Sequence, residues 1–179
     1  MMPIIAPPRI SAMVSSPVGL LSLKASENGL THLQVEDLAS THADVAIQSL
    51  TTLFISHDDD LLTVDAQNYI ESTTQQLAEY FAGRRQQFSV TLAPKGTEFQ
   101  QQVWHALSEL PFGGSCSYSD IANTIGRPKA VRAVGAANGA NPIAIIVPCH
   151  RVIGKGGKLT GYAYGLEMKQ WLLNLEASD

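Results

Sequence analysis

The sequence of 179 residues is 45% hydrophobic, which is enough to bury one ordinary core or two small ones without covalent support. Its two cysteines, Cys116 and Cys149, exclude a disulfide framework and a zinc-finger cluster, and they favour a reducing, cytoplasmic setting. No uninterrupted apolar stretch reaches the roughly 18 residues of a membrane span, so no membrane association is expected.

The formal net charge of -4 is unevenly distributed along the sequence. Residues 1–92 carry four Lys or Arg against ten Asp or Glu, whereas residues 93–179 carry eight against six. Phosphates respond to local charge within a Debye length rather than to the charge of the whole chain. The negative net charge therefore does not exclude a nucleic-acid partner for the second half. The uneven distribution of charge is only weak evidence for such a partner.

Three β-strands are predicted near the start, over residues 10–14, 19–25 and 30–35, with an Asn-Gly turn between the second and the third. These strands indicate an antiparallel meander. Residues 36–64 show no clear pattern. The His-Asp-Asp-Asp run at 57–60 is interpreted as a solvated acidic loop, with a metal site as the alternative.

A helix that packs on the sheet is predicted next, with Asp65 as its N-cap. Four of its residues share one face, namely Ile70, Thr74, Leu77 and Phe81. Residues 88–92 alternate as a short strand, and residues 93–96 are typical of a linker. The sequence thus predicts two domains, 1–92 and 93–179.

The second half is predicted to be mainly helical. Thr97 is the expected cap of a first helix, which ends at the Pro-Phe-Gly-Gly run 111–114. Ser119 is the expected cap of a second helix that runs to Ile125, and a third is expected over 129–138. Two short helices around a tight turn are typical of a helix-turn-helix, although many such hairpins bind no DNA.

The third of these helices carries almost no bulky side chain between residues 131 and 139. A smooth helix surface fits a narrow nucleic-acid groove. It also fits close packing against a neighbouring helix, and the residues alone favour that packing.

Residues 143–147 form an apolar run that predicts a buried strand, and this run ends at Pro148-Cys149-His150. Only the thiolate of a cysteine is a strong nucleophile, so a reactive cysteine needs a base or a cation nearby. His150 and Arg151 are neighbours in sequence, but adjacency does not establish contact. On local sequence a buried structural cysteine remains an equal alternative.

Several spaced motifs between Gly96 and Glu176 resemble the O6-alkylguanine-DNA alkyltransferase family, also called methylated-DNA-protein-cysteine methyltransferases. Residues 1–92 resemble the variable N-terminal domain of that family only in general character. The matching motifs are Gly96-Thr97, Phe99-Gln100 and Val103-Trp104; Ser117-Tyr118, Ile121-Ala122 and Arg132-Ala133-Val134-Gly135; Asn141-Pro142 and residues 148–154; Leu159-Thr160-Gly161-Tyr162, Gly165 and Trp171-Leu172-Leu173.

The resemblance implies an α/β (α+β) fold. It consists of a small N-terminal antiparallel sheet-plus-helix domain like ribonuclease H and a mostly helical, winged-helix-like C-terminal domain with a helix-turn-helix. The resemblance also implies direct DNA repair, in which O6-alkylguanine, and O4-alkylthymine as a further substrate, is flipped out of duplex DNA. The alkyl group passes irreversibly to Cys149, so each molecule reacts once, and no cofactor or metal is expected.

Roles for the catalytic group also come from the resemblance. His150 is implied as the water-linked base that takes the proton of Cys149, and Glu176 as the carboxylate that orients this histidine. Asn141 is implied to hold the active-site turn. Tyr118 is implied to donate to the purine ring as the leaving oxygen gains charge.

Double-stranded DNA is the partner that the resemblance implies, bound through its minor groove by the small-residue helix. Arg132 is implied to enter the base stack where the flipped nucleotide was, with Ala133, Gly135 and Ala136 in the groove. A monomer is expected, and cooperative assembly on DNA is the alternative.

The substrate pocket is implied to use the backbone carbonyls of Cys149 and Val152 and the backbone of Tyr162 and Ala163. Tyr164 stands where many members of the family carry a small residue. Its ring is expected to narrow the pocket and to slow the reaction with benzyl adducts.

Three other functions stay open at this stage. A non-catalytic lesion binder has the same pocket without the cysteine, so Cys149 argues against it. A Cys-His-Glu hydrolase uses the same residue types but turns over repeatedly. A regulator that senses alkylation carries an extra zinc-binding domain with several cysteines, which this sequence lacks. Cys116 is interpreted as a small buried residue in a turn, with an approach to the pocket as the alternative.

Overall fold

The computed structural model describes residues 10–37, 52–56 and 62–177. The chain falls into two compact units, Met1–Lys95 and Gly96–Asp179. The sequence predicts a boundary after residue 92, a little before the end of the first unit. Within the described ranges, none of the helices combines the length and the hydropathy that a membrane crossing requires.

The N-terminal unit is built on an antiparallel sheet with the spatial order β3-β2-β1-β4. Its strands are β1 (Ile10–Ser16), β2 (Gly19–Ser26), β3 (Gly29–Asp37) and β4 (Thr52–Ser56). The three predicted strands are present. The strand β4 pairs with β1 and lies in the segment 36–64, for which no element was predicted. The acidic run 57–60 lies outside the described residues.

The helix α1 (Leu62–Phe81) packs on β1, β2 and β3 as expected. Ile70, Leu77 and Phe81 are buried, while Thr74 of the predicted face is partly exposed. The prediction of Asp65 as the N-cap is wrong, because the helix begins three residues earlier. Asp65 lies in the first turn, where its carboxylate favours the positive end of the helix dipole.

The predicted strand at residues 88–92 is not formed. The backbone N–H of Ser89 donates to the side-chain oxygen of Gln76 on α1 at 2.8 Å. The side-chain NH₂ of Gln76 donates to the Ser89 hydroxyl at 3.1 Å. Only an isolated bridge joins Leu92 to Leu30. A side chain therefore takes the backbone donor that a strand would have used.

The C-terminal unit is mainly helical, as predicted. Its elements are α2 (Glu98–Ser108), β5 (Cys116–Ser117), α3 (Tyr118–Thr124), α4 (Val131–Gly139), a 3₁₀ turn (Cys149–Arg151), β6 (Val152–Ile153) and α5 (Leu166–Ala177). The short strands β5 and β6 are parallel and pair Cys116 with Val152.

The predicted start of α2 is confirmed. The hydroxyl of Thr97 accepts from Gln100 N at 3.2 Å, and the Gln100 side chain accepts from Thr97 N at 2.9 Å. This reciprocal capping box satisfies two backbone donors that the helix itself cannot pair. Farther along α2, the buried indole N–H of Trp104 donates to the carbonyl of Ala137 on α4 at 2.8 Å.

The helices α3 and α4 form the predicted helix-turn-helix arrangement, but both begin at other residues than predicted. Ser117, not Ser119, caps α3, because Asp120 three residues later completes a second capping box with it. The helix α4 begins at Val131 rather than at 129, and its N-cap residue Ala130 supplies no side-chain bond.

Candidate active site

A cavity of about 240 Å³ in the C-terminal unit includes Cys149 in its lining. The lining comes from three places in the chain: α3 and α4, the segment that leads to the 3₁₀ turn, and the segment before α5. The lining residues are Tyr118, Gly135, Asn138, Gly139, Asn141, Cys149, Gly161, Tyr162, Ala163 and Tyr164.

Residues 143–147, which precede Cys149, form a buried turn instead of the predicted strand. Asn141 explains the difference. Its amide N–H donates to the carbonyl of Val147 at 2.8 Å and to that of Ile143 at 3.3 Å, and its oxygen accepts from Ile143 N at 3.0 Å. The Asn141 side chain thus binds backbone groups that a strand would pair with a neighbouring strand. The prediction that residues 143–147 are buried is confirmed, and the prediction that they form a strand is wrong.

The same turn places Ile145 at φ +71°, the only positive φ of a residue other than glycine in the described ranges. A β-branched residue rarely adopts this left-handed conformation, which costs on the order of 1–3 kcal/mol. Burial of Ile145 and the three hydrogen bonds of Asn141 hold the turn against this strain.

Behind Cys149 lies a fully buried hydrogen-bond network centred on Glu176 of α5. One carboxylate oxygen of Glu176 lies 2.7 Å from His150 Nε2 and accepts from Arg151 Nη2 at 3.0 Å. The other accepts from Arg151 Nε at 2.8 Å and from the backbone N–H of Gly113 at 3.3 Å. The guanidinium also donates to the carbonyl of Leu110 at 2.7 Å.

These donors keep Glu176 ionised. Burial alone would raise its pKa, but hydrogen bonds from His150 and Arg151 outweigh that effect and lower the pKa to about 2. Glu176 is therefore a fixed acceptor and not a group that exchanges protons near neutral pH.

The network also sets the tautomer of His150. Burial lowers the pKa of His150, and the charges of Arg151 and Lys169 act in the same direction against the opposing effect of Glu176. A neutral imidazole carries one N–H, and the nearby carboxylate oxygen requires that hydrogen on Nε2. The other nitrogen, Nδ1, is then a free base, and none of the described residues hydrogen-bonds to it.

Cys149 is 5% exposed, and burial raises the pKa of its thiol. Four effects oppose burial: a hydrogen bond from the Asn141 side chain, the charge of Lys169, and the backbone N–H groups of Cys149 and His150. The resting group is therefore a thiol. It needs a base to become a nucleophile, and groups that stabilise the resulting anion already surround it.

Sequence reasoning missed two charged residues of this site, Arg151 as a partner of Glu176 and Lys169 of α5. The Lys169 side chain is fully buried, and its ammonium lies 2.6 Å from the carbonyl oxygen of Val152. Lysine is rarely buried, so composition gives no hint of it. The helical spacing does, because Lys169, Leu172 and Glu176 are separated by three and four residues and share one face.

The exposed part of α4 is smooth, and its other face is packed. Arg132, Ala133 and Ala136 are exposed, whereas Val134 and Ala137 are buried. The packing interpretation therefore holds for the buried face, and the groove interpretation stays a prediction for the exposed face. Gly135 is partly exposed beside the Tyr118 ring, where an added Cβ would lie 3.9 Å from the ring carbons.

The rim of the cavity carries an aromatic pair. The rings of Tyr162 and Tyr164 meet edge to face with their centroids 5.6 Å apart. This contact fixes the Tyr164 ring at the cavity that also contains Cys149.

Most of the predicted site residues meet in one place. Tyr118, Gly135, Asn141, Cys149 and the segment 162–164 line the cavity.

The predicted residues outside the lining fall into two groups. His150 and Glu176 lie directly behind the cavity, while Arg132, Ala133 and Ala136 lie on the exposed face of α4.

Two residues lie differently from what the sequence suggests. Val152 does not line the cavity, and its carbonyl already accepts from Lys169, although a carbonyl oxygen can accept a second bond. Cys116 is half-buried in β5 rather than in a turn, and it does not line the cavity. Burial raises its pKa to about 11, which makes it a poor nucleophile. Across the described ranges, no three His, Cys, Asp or Glu side chains are grouped to hold a metal ion.

Comparison with known proteins identifies both halves of the chain. Residues 98–178 match the DNA binding domain of 6-O-methylguanine DNA methyltransferase, and residues 10–94 match the ribonuclease-like domain of the same enzyme. A methylated-DNA–protein-cysteine methyltransferase of Methanosarcina barkeri is 42% identical over 167 residues, which cover 93% of this chain and 96% of that protein. The Methanosarcina acetivorans protein of that name is 58% identical over 115 residues, covering 64% of this chain and 74% of that protein.

Solved structures give the same result. A crystal structure of Mycobacterium tuberculosis OGT in complex with DNA superposes with a TM-score of 0.73 at 43% identity, covering 92% of this chain and 91% of that one. The resemblance and the α/β fold class predicted from the sequence are both confirmed by these matches. The chain belongs to the 6-O-methylguanine DNA methyltransferase family.

Proposed function

We propose that this protein repairs DNA by direct reversal, moving the alkyl group of O6-alkylguanine to Cys149 in one irreversible step. The observation that carries the proposal is a buried thiol in a cavity lining, followed in the chain by a buried histidine whose Nε2 is bound to a carboxylate and whose Nδ1 has no partner among the described residues. Members of the family are named for transfer to a cysteine, and Cys149 is the cysteine that lines the cavity.

The transfer is a displacement at carbon. A bond forms between Cys149 Sγ and the alkyl carbon while the bond from that carbon to O6 breaks, and the guanine leaves with the electron pair. His150 Nδ1 takes the thiol proton through a bridging water, and Glu176 holds the imidazole and stabilises the imidazolium that forms. No group is reduced or oxidised, so the chain needs no cofactor for this step.

The departing guanine gains negative charge, and Tyr118 is placed to donate to it. The Tyr118 ring lies in the cavity lining beside Gly135. A donor aimed at developing charge lowers the barrier more than it stabilises the ground state. The backbone of Tyr162 and Ala163 closes the pocket on the O6 side, and the backbone carbonyl of Cys149 accepts from the base.

DNA is bound through the exposed face of α4. Its small side chains let the helix lie close to the floor of a minor groove about 6 Å wide. Arg132 at the start of this helix fills the space that the flipped nucleotide leaves and so offsets part of the cost of flipping, a few kcal/mol. The protein acts as a monomer in the cytoplasm, and O4-alkylthymine is a second substrate.

Intact-mass spectrometry after incubation with duplex DNA containing O6-methylguanine tests the proposal. One added methyl group per protein, located on Cys149 by peptide mapping, is the expected result, and Cys116→Ala should behave in the same way. Cys149→Ala should bind the DNA and leave it unrepaired. Repaired DNA in molar excess over protein would indicate a turnover enzyme, and unmodified protein beside unrepaired DNA would indicate a lesion binder.

A further inference from the structure

The buried ammonium of Lys169 has a structural role that the proposed chemistry does not account for. It donates to three backbone carbonyls, those of Val152 at 2.6 Å, Thr160 at 2.8 Å and Gly161 at 3.4 Å. The first follows the turn that carries Cys149, and the other two begin the segment 160–164 that forms the cavity rim. One side chain of α5 thus joins the nucleophile turn to the rim.

The three acceptors determine the protonation state of Lys169. An ammonium has three N–H donors and no lone pair, whereas a neutral amine would direct a lone pair at a carbonyl oxygen. The geometry therefore favours the charged form even though burial lowers the pKa of Lys169. A fully bonded ammonium has no lone pair with which to act as a base.

This charge has no carboxylate partner among the described residues, which is unusual for a buried lysine. The charge of Lys169 lowers the pKa of both Cys149 and His150, and the charge of Cys149 in turn raises the pKa of Lys169. The carboxylate of Glu176 is already bound by Arg151 and His150.

We propose that Lys169 is a positioning residue for the transfer, which fixes the Cys149 turn to the cavity rim and serves as the counter-ion of the thiolate during the reaction. The counter-ion role rests on the proposed function, because it requires that Cys149 reacts as an anion. The ionisable groups around the Cys149 turn are His150 and Arg151, which follow it in the chain, Lys169 and Glu176 from α5, and Tyr118 from the cavity lining. The two cationic side chains differ in that Arg151 is neutralised by Glu176 and Lys169 is not.

The test measures thiolate formation without DNA. In a Cys116→Ala background, the rate of Cys149 alkylation by iodoacetamide is followed against pH for the parent, Lys169→Gln and Lys169→Arg. Gln keeps two N–H donors without the charge, and Arg keeps the charge. We expect Gln to raise the pH midpoint by about one unit and Arg to leave it nearly unchanged.

The exposed Lys158→Met serves as the control for loss of a lysine charge elsewhere in this unit, and it should leave the midpoint unchanged. Equal midpoints for the parent and Lys169→Gln, or equal shifts for Gln and Arg, would overturn the counter-ion role and leave only a structural one. Because the assay contains no guanine, its outcome is separate from that of the methyl-transfer experiment.

A second measurement titrates the Lys169 ammonium itself in proteins that keep this residue, and a Lys169 variant serves only to assign the signal. The ¹⁵N signal of the Lys169 ammonium, assigned by its loss in Lys169→Arg, is titrated in the parent and in Cys149→Ala. Coupling between two charges is reciprocal. Loss of the cysteine should therefore lower the pH at which Lys169 deprotonates, and an unchanged titration would contradict the proposal.

Discussion

In the proposed mechanism, the pH dependence of the reaction rests on His150. Its imidazole must be neutral to accept a proton at Nδ1, and burial keeps its pKa below the ordinary value of 6.5. The base form therefore persists in solutions more acidic than pH 6.5. We expect the rate of methyl transfer to hold through that pH and to fall only below it, as measured by single-turnover kinetics on methylated duplex DNA.

Replacement of the base gives the matching prediction. His150→Ala should slow methyl transfer by about 10²–10⁴-fold, because the thiol loses its proton acceptor. The exposed His105 on α2 offers a matched control, and His105→Ala should react at the parental rate. A His150→Ala protein that kept the full rate would exclude His150 as the base.

We expect Tyr164 to control a different property, the size of the alkyl group that the cavity accepts. Its ring is held at the rim by the edge-to-face contact with Tyr162. Tyr164→Gly should speed the reaction with O6-benzylguanine and change methyl transfer much less, since a methyl group needs little room. The ratio of the two single-turnover rates is the measurement, and a ratio that stays at the parental value would show that the ring does not limit access.

At the scale of elements, the turn before Cys149 depends on Asn141 more than on any apolar contact. Asn141→Ala would leave the buried N–H of Ile143 unpaired, at a cost of about 1–3 kcal/mol. The carbonyl of Val147 would lose one of its two hydrogen bonds and keep the one from Cys149 N. The strained Ile145 would then relax toward a negative φ. We expect a lower free energy of unfolding in urea together with slower methyl transfer. A variant as stable as the parent would show that the turn does not depend on the Asn141 side chain.

The exposed face of α4 is expected to contact DNA, so a larger side chain on it should weaken DNA binding. Ala136→Leu adds a branched side chain to a surface that is smooth in the parent, so it should hold the helix away from the groove and weaken binding to duplex DNA. Gln170→Leu adds the same side chain to an exposed position of α5 and should bind normally. Fluorescence anisotropy with a labelled duplex compares the two, and equal affinities would argue against this face as the contact surface.

The apolar pattern and the Thr97 cap could be predicted, whereas segments whose backbone groups are bound by a side chain could not. The start of α2 follows from Thr97 and Gln100, which lie within one turn of each other. Residues 143–147 have the composition of a strand, but the Asn141 side chain takes their backbone groups. The run at 88–92 fails in the same way, because Gln76 of α1 binds Ser89.

The residues of the candidate active site also differ in how far the sequence points to them. Cys149, His150 and Glu176 could be identified because their motifs resemble those of a known family. Arg151 and Lys169 were not found, since a cationic side chain in a sequence is usually solvated, and only the packing of α5 shows that both are buried.

At the scale of the molecule, the acid sensitivity of the C-terminal unit follows from its buried network. The pKa of Glu176 is depressed to about 2, so its contribution to stability is complete above its ordinary value of 4.5 and is lost as the pH falls toward 2. The lowered pKa of His150 acts in the same sense, because the folded state binds that proton less readily than the unfolded chain.

Both tryptophans, Trp104 and Trp171, belong to the C-terminal unit, so their fluorescence reports its unfolding alone. The free energy of unfolding in urea should fall from pH 7 to pH 3. Glu176→Gln should be less stable than the parent at pH 7 by about 3–5 kcal/mol, since Arg151 stays buried without its partner. It should also lose less stability than the parent between pH 5 and pH 3. Equal slopes for the two proteins would assign the acid sensitivity to other groups.

The position of Glu176 in the last turn of α5 has a consequence for the order in which the protein becomes active. Cys149 and His150 are synthesised well before Glu176, which binds His150. Gly113, whose N–H also donates to Glu176, is synthesised earlier still. A nascent chain that has passed residue 150 therefore carries a thiol without a working base. In the proposed mechanism we therefore expect newly made molecules to gain their reactivity only when α5 docks on the turn and Glu176 reaches His150.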